Sequence, residues 1–69
     1  MQEILINGVT CEIQRSGRVV HGYESFWSYG IALNGRKVRV AQHSLPPHVL
    51  DNGGTVYTGG NTYEVPRHA

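Results

Sequence analysis

Four histidines and a single cysteine in 69 residues are the groups best suited to hold a metal or to carry a nucleophile. Structural zinc sites draw their ligands in close pairs, and His43 and His48, with Ser44-Leu45-Pro46-Pro47 between them, have such a spacing. No second pair accompanies them, because Cys11 stands alone and His21 and His68 are distant in the chain. The two histidines therefore read as surface groups around a Pro-Pro turn, with no metal and no other cofactor. Cys11 falls within an alternating apolar run, away from any helix N-terminus that would lower its thiol pKa, and reads as an inert core-facing residue. A Gly-x-Ser-x-Gly elbow, a Walker loop and a His-Glu-x-x-His pair are all missing from the sequence. Asn52-Gly53-Gly54 and Gly59-Gly60 have the composition of an anion-cradling loop, but they read more simply as turns. One acid–base pair remains. If Ser16-Gly17 closed a hairpin from Arg15 to Arg18, His21 would stand opposite Glu12 and extend a Glu3–Glu12–His21 row across three strands. No third group would orient that pair, so the row reads as a solvated ladder and the chain as a non-enzyme.

Binding chemistry is better represented. The stretch Tyr23–Val40 holds the sole Trp, the sole Phe, two of four Tyr and three of six Lys/Arg residues. Interface centres favour Tyr, Trp, Phe and Arg over Lys and Glu, and every basic residue here except Lys37 is Arg. Arg36, Lys37 and Arg39 are the candidate charged contacts, with Tyr23, Phe26, Trp27 and Tyr57 as aromatic anchors. Small β-barrels also bind single-stranded nucleic acid through basic grooves and stacked aromatics, and the same residues would serve. Against that, six basic residues are offset by five acidic ones, for a net charge of +1 and a pI near 8.0. A strongly basic face is the usual sign of a nucleic-acid partner. The balance is equally far from the large negative excess of a nucleic-acid mimic.

The elements that must position these groups are hairpins. Asn34-Gly35 lies between two alternating runs, and Asn-Gly favours a two-residue type I′ turn because both central residues need φ > 0. In that register Ile31 faces Val38 and Tyr29 faces Val40. This puts Tyr29, Ile31, Val38 and Val40 on one face, with Lys37 and Arg39 on the other. Asn7-Gly8 repeats the signal, pairing Ile6 with Val9, Ile4 with Cys11 and Gln2 with Ile13, with Leu5 and Thr10 turned outward. Gly59-Gly60 closes a third hairpin that pairs Val56 with Tyr63, leaves Tyr57 outward, and ends at Pro66. Between them, Ser44 can cap a short helical turn over residues 45–50 that buries Leu45, Val49 and Leu50. Gly22–Ser28 reads either as strand, with Tyr23, Ser25 and Trp27 on one face and Glu24 and Phe26 on the other, or as a loop covering an open barrel end. In both readings the large aromatic area of Trp27 and Phe26 suits a core. Arg67-His68-Ala69 reads as a frayed tail.

These elements predict one all-β domain over residues 1–69. It should be a small meander, or an SH3-like or OB-like barrel of six or seven short strands joined by tight glycine turns. Nine glycines and 39% hydrophobic residues suit short strands around a thin core. A lone cysteine allows no internal disulfide, and neither a membrane-length apolar run nor a signal-like start is present, so the sequence reads as cytoplasmic. A thin core with outward Leu5 and Tyr57, joined by Phe26 if its strand face turns out rather than in, is consistent with a homodimer seam. The expectation is a protein-binding module, an inhibitor or adaptor that occupies a surface on a host or cellular protein. Phages and mobile elements use small chains of this kind. Nucleic acid is the second choice of partner, and no membrane is expected.

Overall fold

The computed structural model describes residues 1–67, so the expected frayed tail lies partly outside the described residues. Six strands, β1 (Gln2–Ile6), β2 (Val9–Val20), β3 (Tyr23–Ile31), β4 (Lys37–Leu45), β5 (Gly54–Thr58) and β6 (Asn61–Val65), form one antiparallel sheet in the order β4-β3-β2-β1-β6-β5. A single helix, α1 (Pro47–Asn52), lies between β4 and β5. The all-β architecture is the one the sequence predicts. The sheet curls into a half-barrel without closing, and β4 and β5 remain as its two edges. No helix among the described residues is long and apolar enough to cross a membrane.

Two hairpins follow the expected register residue by residue. Asn7 and Gly8 sit at φ 52° and 80°, and Gln2, Ile4 and Ile6 stand opposite Ile13, Cys11 and Val9. In the last hairpin Val56 faces Tyr63 and Thr55 faces Glu64. Strand β6 then docks on β1 through Leu5–Glu64 and Ile6–Tyr63, joining the first and last strands of the chain within the sheet.

Two other turns depart from expectation. The central hairpin is shifted by one residue, with Ile31 opposite Lys37 and Tyr29 opposite Arg39. Gly35 N–H donates to the Ala32 carbonyl, and Ala32 N–H to the Arg36 carbonyl. Leu33-Asn34 is thus the centre of the turn and Gly35 alone takes the left-handed conformation at φ 82°, the three-residue loop with a glycine bulge. The Asn34 side chain accepts from Arg36 N–H and holds Asn34 at the second central position of the turn, one later than in an Asn-Gly type I′ turn. Farther along, Val40 is an extra residue on β4, and from Ser28–Ala41 onward the register returns to the expected sum.

Ser16-Gly17 is not a turn. Strand β2 runs through it as a bulge between Arg15 and Val19, and the chain reverses at His21-Gly22, with φ 53° and 82°. Glu24 explains the bulge. Its carboxylate is buried and accepts from Gly17 N–H at 3.0 Å, so an apparent turn glycine is recruited to satisfy a buried charge. The Glu3–Glu12–His21 row consequently does not form. The helix begins two residues later than the sequence suggested, with Pro46 rather than Ser44 at its N-cap, because Ser44 and Leu45 complete β4. The fully buried Ile4, Ile13, Phe26, Leu45 and Leu50 fill the concave face, with Val49, Tyr63 and Val65 around them. The helix plugs one end of the curl, and Gln2 Nε2 donates to the Leu50 carbonyl at 2.7 Å to tie it down.

Candidate functional site

The one-residue shift in the central hairpin changes which side chains share a surface. Residues opposite each other on paired strands point to the same side, so Lys37 and Arg39 join Ile31 and Tyr29, while Val38 and Val40 leave them. Strand alternation adds Trp27 to this convex face. The Arg39 guanidinium lies over the Trp27 ring at 4.3 Å from its centroid, a cation–π contact. Tyr29 Oη donates to Gln14 Oε1 at 3.3 Å, and Lys37 Nζ donates to Glu12 Oε2 at 3.0 Å. Glu3 stands opposite Glu12, and Lys37 supplies the positive charge beside these two carboxylates.

The remaining candidates lie apart. Arg36 is exposed beside the β3–β4 turn. Tyr23 is exposed beside the His21-Gly22 turn at the opposite end of the sheet. Tyr57 is exposed on β5, the far edge strand. Phe26 is wholly buried, stacked on His43 with ring centroids 5.4 Å apart, and presents nothing to a partner. Leu5 is half-buried beside Glu64.

Sequence reading overlooked the rim of the half-barrel. The turns β1–β2, β3–β4 and β5–β6 all lie at the end opposite α1, so no helix covers the interior there. Val9, Ile31 and Val40 remain 63%, 68% and 65% exposed; Leu33 is exposed in the turn, and Val38 is exposed on the other face of β4 from Lys37 and Arg39. The β2–β3 ladder stops at Glu12–Tyr29 although both strands run on to Val9 and Ile31. The hairpins splay around a cleft of about 410 Å³ lined by Val9, Cys11, Tyr29, Gly30, Ile31 and Val40, among others. The signal available in the sequence was length: Ile31-Ala32-Leu33 continues apolar past the point where β2 can cover it.

Two polar clusters were also missed, and both are structural. Glu24, 3% exposed, accepts from Arg15 Nη2 at 2.7 Å and Nε at 3.1 Å, and Arg15 Nη1 reaches Asp51 of α1 at 2.6 Å. The bidentate guanidinium holds the Glu24 carboxyl below its ordinary range against the opposing effect of burial, and the two carboxylates raise the Arg15 pKa. Ser28, His43, Tyr63, Asn61 and Asn7 form a chain across the curl. Asn7 Nδ2 donates to Asn61 Oδ1 at 2.8 Å, and Asn61 Nδ2 donates to Tyr63 Oη at 3.2 Å. Tyr63 Oη is 2.8 Å from His43 Nδ1, and His43 Nε2 is 3.0 Å from Ser28 Oγ. With Tyr63 donating its own proton, His43 is neutral and carries its hydrogen on Nε2. Burial lowers the His43 pKa in the same sense.

A serine hydroxyl on a histidine is also the geometry of an activated nucleophile. Here Ser28 is 4% exposed, and the other histidine nitrogen faces a tyrosine where a working dyad would place an orienting carboxylate. His48 is exposed on α1 while His43 faces the interior, so the two do not act as a pair. Among the described residues no three of His, Cys, Asp and Glu converge as metal ligands would. Comparison with protein-family models, with curated proteins and with solved structures finds no match to this chain.

Proposed function

We propose that this half-barrel is a non-enzymatic protein-binding module, an inhibitor or adaptor that engages its partner through the unplugged rim and the adjoining face of the β3–β4 hairpin. The observation that carries the reading is the apolar rim. Val9, Ile31 and Val40 line one cleft at that end and are all exposed, in a chain whose core is already thin. An exposed apolar cleft flanked by arginine and aromatic side chains is the composition of an interface centre. Trp27, Tyr29, Arg36 and Arg39 supply that flank.

Nucleic acid is the second reading, favoured by the shared face of Trp27, Tyr29, Lys37 and Arg39. One contact weighs against it: Arg39 covers the ring on which a base would stack. The test is capture of binding proteins from cell lysate by the purified chain and by an Ile31→Ser/Leu33→Ser variant, with and without nuclease. A protein held by the parent after nuclease treatment and lost by the variant supports the rim. Capture that disappears with nuclease moves the function to nucleic acid.

A further inference from the structure

Resting on the protein-binding reading, we propose that the free edge of β4 is a strand-addition site, and that its occupant is an extended acidic segment of the partner protein. The backbone argument comes first. Ala32 N–H bonds to the Arg36 carbonyl, which fixes the alternation along β4. Val38, opposite Gly30, turns its backbone groups toward β3. Those of Lys37 and Arg39 therefore face outward, away from the sheet. Beyond the Val40 bulge the same alternation directs Ala41, His43 and Leu45 toward β3, and Gln42 and Ser44 outward. Four residues of a nine-residue strand thus offer donors and acceptors to an incoming chain. The strand contains no proline to blunt it. The other edge, β5, has five residues and begins at Gly54, so it offers a shorter template.

Charge then selects the occupant. Lys37 and Arg39 alternate along the upper half of the edge on one face. Antiparallel pairing of two copies over this run would bring like charges together, which disfavours a second copy of the chain. A strand carrying carboxylates two residues apart meets both cations on the same face. Arg39 makes no ion pair among the described residues and lies over the Trp27 ring. The Lys37–Glu12 pair is solvent-exposed and readily exchanged for a partner's carboxylate. The edge also adjoins the apolar rim, since Val38 and Val40 belong to the same strand.

The probes are a blocked ten-residue peptide alternating glutamate with valine, and the same peptide with lysine for glutamate. Each is titrated into the full chain, following Trp27 fluorescence and backbone amide exchange by NMR. The expected result is binding of the acidic peptide at least about tenfold tighter than the basic one, as complementary charge selects partners. The amides of Lys37, Arg39, Gln42 and Ser44 should gain protection. Gln42→Pro removes one outward N–H that the sheet does not use, as proline on an edge strand allows. It should retain the melting temperature and lose the peptide. Equal affinities, protection elsewhere in the sheet, or undiminished binding by a folded Gln42→Pro protein overturns strand addition. Should Gln42→Pro fail to fold, the pattern of protected amides in the parent chain decides alone. A lysate partner that survives Gln42→Pro but is lost with Ile31→Ser/Leu33→Ser overturns this inference while leaving the rim intact. Loss of neither variant's partner overturns the rim as well.

Discussion

Replacing Glu24 by Gln keeps the shape of the side chain and removes its charge, which isolates what that buried carboxylate contributes. Glu24 accepts three hydrogen bonds, two from Arg15 and one from Gly17 N–H. Glutamine retains one acceptor oxygen and places an NH₂ against a guanidinium that has no lone pair to offer. Breaking a buried pair by removing one partner costs about 3–5 kcal/mol. Asp51 remains on Arg15 and its side chain is 56% exposed, so part of the arginine charge stays compensated, and about 3 kcal/mol is the fitting figure. A chain of this length has roughly 4–10 kcal/mol of stability in all, so the loss is large. It corresponds to a fall of roughly 10–25 °C in melting temperature for a domain of this size. Thermal unfolding followed by circular dichroism measures it. The Arg15→Met/Glu24→Leu double variant should then be more stable than the sum of the single changes predicts, because it leaves neither charge unpartnered. A shift below about 3 °C for Glu24→Gln, or additive single and double changes, would refute the assignment of Arg15–Glu24 as the clamp that shapes the β2 bulge.

Three further outcomes follow from the packing. At Gly53, φ is 96° and an added Cβ would come within 2.8 Å of Arg67 backbone, whereas at Gly59 nothing lies within 4 Å; Gly53→Ala should therefore unfold at a much lower denaturant concentration than Gly59→Ala. Phe26→Ala should cost about 3–5 kcal/mol, a sizeable part of the total, and equilibrium urea unfolding should show a midpoint lowered by roughly half. His43 is held neutral in the folded state, so its contribution is complete above the unfolded histidine pKa near 6.5 and is lost as pH falls below it toward the lower folded value, at up to about 1.4 kcal/mol per pH unit. His43→Asn should flatten the melting-temperature profile in that window, and an unchanged profile would place the acid sensitivity elsewhere; Glu24, with its carboxyl pKa lowered, acts only at more acid pH.

Much of the fold was legible because binary alternation and glycine turns agree with each other. Asn7-Gly8 and Gly59-Gly60 each sit between runs whose apolar residues meet in a single register, and both hairpins form as read. Ser16-Gly17 misled because its glycine serves a tertiary contact. Gly17 takes φ 75° to bring its N–H to Glu24, seven residues on, and local composition does not show a buried carboxylate. The true reversal, His21-Gly22, was hidden because a histidine at positive φ has no strong sequence signature. The polar chain from Ser28 to Asn7 was partly accessible. Once Phe26 is placed inward, period two puts Ser28 inward as well, and a buried hydroxyl demands a partner.

The candidate surface was harder to read than the fold because it depends on one backbone angle. Had Asn34 taken positive φ together with Gly35, Lys37 and Arg39 would stand over Gly30 and Ala32, and Val38 and Val40 would flank Tyr29. Instead Asn34 spends its side chain on Arg36 N–H, the loop gains a residue, and the cations cross to the face of Trp27 and Tyr29. The Val40 bulge then restores the register, so the lower half of β4 still delivers His43 and Leu45 to the core. The shift and the bulge compensate each other: the interior is unchanged while the exposed end of the hairpin is inverted. A one-residue slip confined to the exposed end of a hairpin costs the core nothing, and for that reason the hydrophobic pattern could report the interior faithfully and the surface wrongly.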